Sequence, residues 1–180
     1  MMKNEALIIV DMSNDFVADT GTLTAGKPAQ EIVPYIRNIA DDFLKNDGTV
    51  VVAMDAHAEN DPHFKLWPAH NVVGTEGQKL YGELAEWFEE HQSDQRVLYV
   101  PKENYNAFHN TGLAEELRKR GIDKVHVAGV CTDICNFMTV AGADAEGFKT
   151  VIHKKGSATF SDKGPAAIDH MKAIFHTEVV

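Results

Sequence analysis

Five short runs dominated by apolar and β-branched residues, each without alternation, restrict this chain more than any other feature: Ala6-Leu7-Ile8-Ile9-Val10, Thr49 to Met54, Arg96 to Val100, Val125 to Gly129, and Thr150 to His153. A strand that is half exposed alternates apolar and polar residues, whereas one covered on both faces reads as a continuous apolar run. Helical spacing fills the intervals. Ile32, Ile36, Ile39, Ala40 and Phe43 recur on one face, with Pro34 near the start and Asn46-Asp47-Gly48 at the end. Tyr81 to Glu90 buries Leu84, Trp87 and Phe88. A helix carrying Leu113, Ala114 and Leu117 is capped by Asn110 or Thr111 and stopped by Gly121. Two further helices span Cys135 to Glu146 and Gly164 to Phe175, and Thr177 to Val180 offers a terminal strand.

Strand and helix alternate over residues 1–180 without a linker or repeat. The reading is a single α/β domain: a three-layer α/β/α sandwich with a mostly parallel, Rossmann-like central sheet. Right-handed crossovers bring the C-terminal ends of parallel strands to one edge, where ligands bind. Asp11, Asp55, Lys102 and the stretch Cys131 to Cys135 all fall just past such ends.

Charge narrows the partners. With 27 acidic against 17 basic side chains the formal charge is -10, which repels phosphate backbones and anionic lipid, so neither nucleic acid nor a membrane is expected. No stretch approaches the ~20 apolar residues of a membrane span, and Met1 to Glu5 carries no leader-like run. Two cysteines four positions apart make a poor extracellular disulfide framework, and a cytoplasmic protein with reduced thiols is expected.

Asp11, Lys102 and Cys135 supply an acid, an amine and a thiol. Together these make a nucleophile unit in which the carboxylate takes the thiol proton and the ammonium steadies negative charge. Val125 to Gly129 followed by Thr132 and Asp133 reads as strand, turn and helix start. That puts Cys135 in a first helical turn, where backbone N–H groups and the macrodipole favour thiolate. The plain alternatives are that Cys131 and Cys135 are small buried hydrophobes or a reversible redox pair, Asp11 a loop cap, and Lys102 a surface amine.

Three of the nine histidines, His57, His63 and His70, crowd a segment that shows no periodicity, and Asp55 stands two residues before the first. Imidazole and carboxylate donors suit zinc, iron or manganese; incidental histidines in a surface loop are the other reading. Phe16, Trp67, Tyr105 and Phe108 lie past strand ends, where they either sandwich a flat ring or pack the loops down.

Leu7 to Phe16, Asp55-Ala56-His57, Trp67 to Thr75, Lys102 with Tyr105 to Phe108, and Gly129 to Cys135, taken in that order, resemble the isochorismatase-like cysteine hydrolase superfamily and within it the metal-containing nicotinamidase branch. The resemblance implies hydrolysis of nicotinamide to nicotinate and ammonia through a thioester, a step of NAD salvage and pyridine nucleotide biosynthesis. It implies Asp11 as general base, Lys102 as its cationic partner, Cys135 as nucleophile, and backbone amides of Cys131 and Cys135 as oxyanion hole. Asp55, His57, His63 and His70 would hold one divalent ion, zinc first; the loop around Asn60-Asp61-Pro62 leaves open whether Asp61 competes with His63. Phe16 and Trp67 match ring-stacking positions, Tyr105 and Phe108 join them at the substrate, and Val130-Cys131 is expected to be cis. A homo-oligomer is also expected. Two other functions stand beside this one: a related hydrolase of ureido or carbamoyl substrates, which would lack the metal set, and a non-catalytic metal-binding or redox protein.

Overall fold

The computed structural model describes residues 1–180. Six strands form one sheet: β1 (Glu5–Val10), β2 (Thr49–Asp55), β3 (Val97–Lys102), β4 (Lys124–Val130), β5 (Lys149–Ala158) and β6 (Glu178–Val179). The spatial order is β3-β2-β1-β4-β5-β6. Every pairing is parallel, so the expected mostly parallel sheet is wholly so.

The unbroken apolar runs are explained by two cores. Leu7 and Ile9 of β1 face one layer and Ala6, Ile8 and Val10 the other, as the two-residue period of a strand requires. The first layer is covered by α1 (Asn14–Val17), α2 (Lys27–Glu31), α3 (Val33–Lys45) and α4 (Glu83–His91), whose Ile36, Phe43 and Trp87 are fully enclosed. The second is covered by α5 (Leu113–Lys119), α6 (Phe137–Ala145) and α7 (Gly164–Ile174), which contribute Leu117, Val140 and Met171. No helix is long and apolar enough to cross a membrane.

Two boundaries differ from expectation. β5 was expected to stop at His153 but runs to Ala158, because its register on β4 slips between Val127 and Gly129: Ile152 faces Val127 while Ser157 faces Gly129. The extra residues bulge out, and polar Lys154 and Lys155 are exposed there. The helix after β4 does not begin as an α-helix at Cys135. Thr132–Asn136 form a wider, π-type turn that leads into α6.

The sheet winds outward in both directions from the adjacent pair β1 and β4, so the switch point lies between their C-terminal ends. At that point Gly129 has φ 124° and lies so close to β1 that a Cβ would sit 2.1 Å from the Val10 carbonyl oxygen. Only glycine permits both the conformation and the approach. One residue further on, the Val130-Cys131 peptide is cis, as the resemblance implied.

Candidate active site

Strand ends assemble the acid, the amine and the thiol. Lys102, the last residue of β3, is buried. Its Nζ donates to Asp11 Oδ2 at 2.7 Å, to Asp55 Oδ1, and to the Asn104 carbonyl at 3.1 Å. Asp11, in a left-handed conformation just past β1, accepts the Asp55 backbone N–H on its other oxygen at 2.8 Å. One ammonium therefore serves two buried carboxylates. Lys102 is not a surface amine, and Asp11 is more than a loop cap.

Burial works against each charge in this trio. It would lower the Lys102 pKa, but the two carboxylates raise it above its ordinary value. Asp11 is pushed up to about 6 by burial and by the neighbouring Asp55 charge, only partly offset by Lys102. Asp55 goes the other way, because Lys102 and the nearby imidazoles outweigh its burial.

The Cys135 thiol lies beside the Asp11 carboxylate. Here the structure corrects the sequence reading. Burial is the largest influence on Cys135 and, with the charges of Asp11 and Asp55, drives its pKa well above the usual thiol value despite Lys102. A helix end does not win against two carboxylates in a dry site, so the resting sulfur is a thiol. Cys131, also buried, is pushed up to about 12, chiefly by burial.

Beside this unit the three histidines converge, with one donor atom from each of His57, His63 and His70 lying within 4.8 Å of the others. Asp55 Oδ2 is 3.6 Å from His57 Nε2 and 3.7 Å from His70 Nε2. The outward nitrogens are anchored: His70 Nδ1 donates to the Pro68 carbonyl at 2.6 Å and His57 Nδ1 to Asp61 Oδ2 at 2.9 Å. The segment's backbone is tied down by His57 N–H to Asn71 O and Val73 N–H to His57 O, both 3.0 Å. His57 Nε2 is buried and has no hydrogen-bond partner. A buried imidazole nitrogen left without a partner, facing a carboxylate and two more imidazoles while its other nitrogen is held by an acid, is the donor set of a divalent transition metal.

Asp61, whose role the sequence left open, stands behind the cluster. Its carboxylate is spent on His57 Nδ1 and, at 2.8 Å, on the His63 backbone N–H, so it supports the cluster from outside instead of competing with His63.

One narrow cavity, about 350 Å³ out to its mouth with solvent included, touches both constellations. Phe16, Trp67 and Tyr105 line it along with Asp55, His63, His70, Cys131 and Cys135. Trp67 is fixed by its Nε1–H to Tyr105 Oη at 2.9 Å, and Phe16 leans on His70 with ring centres 5.2 Å apart. Phe108 does not join them. It is buried in the second core against Phe148, ring centres 5.7 Å apart, and has no part in the cavity. Val130, Leu23, Ile134 and Phe160 complete the wall, and sequence reasoning singled out none of the last three.

The family model described as the isochorismatase domain matches residues 5–179. The chain belongs to the isochorismatase family. An isochorismatase-family protein of Bacillus subtilis, PncA, described as uncharacterized, is 44% identical over 170 residues, covering 92% of this chain and 93% of that protein. The crystal structure of nicotinamidase PncA from Bacillus subtilis superposes with a TM-score of 0.95 at 40% identity, covering 98% of this chain and 99% of that one. A Pyrococcus horikoshii pyrazinamidase in complex with zinc gives a TM-score of 0.87 at 26% identity, with 98% of each chain covered. The parallel α/β sheet expected from the alternating elements, and the isochorismatase-like form of it that the resemblance implied, are what is observed.

Proposed function

We propose that this amide hydrolase of the isochorismatase family is a nicotinamidase, releasing ammonia from nicotinamide through a thioester on Cys135. The observation that carries the reading is the shared cavity: a thiol paired with a buried carboxylate and a three-histidine cluster open onto one aromatic slot.

Because Cys135 rests as a thiol, attack and proton transfer go together. Asp11 takes the Sγ proton as sulfur adds to the carboxamide carbon, and Lys102 offsets the negative charge around Asp11 before the transfer. The tetrahedral oxyanion would be met by backbone N–H groups of Cys131 and Cys135. Asp11 then returns the proton to the departing nitrogen, the C–N bond breaks, and ammonia leaves. Water, deprotonated by Asp11, adds to the thioester carbon; the C–S bond breaks, nicotinate forms, and the sulfur regains its proton. Phe16 and Trp67 would stack on the pyridine ring, with Tyr105 holding Trp67 in place. A divalent ion on Asp55, His57, His63 and His70, zinc first with iron or manganese as alternatives, would supply a Lewis-acid anchor for the pyridine nitrogen.

Purified enzyme incubated with nicotinamide should release ammonia and nicotinate in equal amounts, less so after chelation and recovery of the apoprotein. No ammonia above the Cys135→Ala control would overturn the assignment.

A further inference from the structure

The cavity has a buried end and an open one. Cys135 and Asp55 lie at the buried end, whereas Phe160 is 49% exposed and meets Trp67 edge to face with ring centres 6.5 Å apart. Both aromatics line the cavity, so this pair forms its mouth.

What holds Phe160 there is unusually specific. Its two neighbours in sequence, Thr159 and Ser161, both donate their hydroxyls to Asp133, one to each carboxylate oxygen and each at 2.6 Å. Asp133 belongs to the turn Thr132–Asn136 that carries Cys135. An acid at the start of a helix ordinarily serves the free N–H groups of its own turn. Here both oxygens are given to a segment that follows β5, so the segment bearing Phe160 is clamped to the nucleophile's turn.

We propose that Phe160 determines which ring substituents the substrate cavity admits, and that Asp133 is the positioning residue that keeps it at the mouth. The inference rests on the reading of this cavity as the site of a pyridine carboxamide. With the carboxamide carbon at Cys135, the ring edge remote from it points to the open end, and a group on that edge runs into Phe160. Unsubstituted nicotinamide fits beneath the aromatic pair, and a 5-substituted ring does not.

The test compares kcat/KM for 5-methylnicotinamide with that for nicotinamide. Phe160→Ala should raise the ratio by about tenfold or more, the scale on which pocket methyl groups discriminate, while the KM for nicotinamide rises more than its kcat changes. Asp133→Asn should move the ratio the same way, and adding it to Phe160→Ala should move the ratio no further. A ratio in Phe160→Ala within about twofold of the parent would overturn the role of Phe160, and Phe160→Leu gives an independent reading with a smaller cut. A uniform loss on both substrates in Asp133→Asn would overturn the positioning role. No ammonia from nicotinamide in the parent enzyme would defeat the nicotinamidase reading itself, whereas ammonia release with an unmoved ratio defeats only this inference.

Discussion

Asp61 grips His57 from behind the metal-binding face, accepting Nδ1–H at 2.9 Å and leaving Nε2 turned inward without a partner. The same carboxylate caps the short helical turn Pro62–Lys65 through the His63 backbone N–H. One acid thus orients one of the proposed metal ligands and fixes the backbone of another. A carboxylate that accepts from the outer nitrogen of a ligating imidazole sets its tautomer and basicity. Asp61→Asn should therefore weaken zinc binding by about 10- to 100-fold, read as the chelator concentration that strips the ion, with the apoprotein's far-ultraviolet spectrum unchanged. Equal retention of zinc in parent and variant would show that His57 needs no such support.

Lys102 is the shared counterion of two buried acids. Taking it away leaves Asp11 and Asp55 facing each other without compensation, and breaking a buried pair by removing one partner typically costs about 3–5 kcal/mol. Lys102→Met in the metal-free protein should show a loss of that order in urea unfolding at pH 8. The loss should shrink at pH 5. Repulsion raises the folded-state pKa of the two acids above the unfolded value, so the folded variant takes up protons first and stability is recovered as pH falls. A melting profile matching the parent at both values would mean that the carboxylates find other partners.

The two cysteines separate by role. Cys135 lies beside Asp11 and would act as nucleophile, whereas Cys131 would contribute only a backbone N–H to catalysis. Cys135→Ala should lose at least about a thousandfold in kcat with zinc content intact. Cys131→Ala keeps the amide and should stay within about tenfold of the parent. Comparable losses in both would favour the dithiol reading over a single nucleophile.

Most of the site could be read from the chain because it hangs on strand ends, and strand ends are where unbroken apolar runs stop. Asp11, Asp55 and Lys102 were placed on one edge by that logic alone, and they touch. What escaped was decided by three-dimensional neighbours. Cys135 has the sequence signature of an activated thiol, yet burial beside two carboxylates reverses the direction of its pKa shift. Phe108 and Tyr105 are indistinguishable by spacing, but one turns into the core and the other into the cavity. Phe160 follows a strand whose polar bulge reads as its end, and its significance depends on Asp133, 26 residues upstream of Thr159. The helices α1 and α2, four and five residues long, are too short to show a period.

A second polar chain, remote from the catalytic unit, makes stability depend on pH. Tyr35 Oη, His153, His126 and Glu5 form a file of contacts at 2.9, 3.0 and 2.7 Å. Glu5 is ionised, its pKa lowered by His126 and Lys124 against the effect of burial, and can only accept. His126 must then donate from Nε2 and accept at Nδ1, so His153 donates from Nε2 and accepts the Tyr35 hydroxyl at Nδ1. Both rings are neutral in this arrangement, and a further proton on His153 would have to go to Nδ1, the atom that accepts the Tyr35 hydroxyl. Burial and the neighbouring His126 accordingly hold His153 down at about 4. Since the unfolded chain protonates this residue near 6.5, it binds more protons than the folded one in between, and stability must rise with pH across that interval. The contribution is complete above about 6.5 and is lost as pH falls through about 4, with a ceiling of ~3 kcal/mol. Other histidines titrate in the same range, so the difference between parent and His153→Gln isolates this one. The variant should melt lower at pH 7.5, and the gap should narrow steadily toward pH 4.5. A gap independent of pH would mean that His153 takes up its proton as readily in the folded protein as in the unfolded chain.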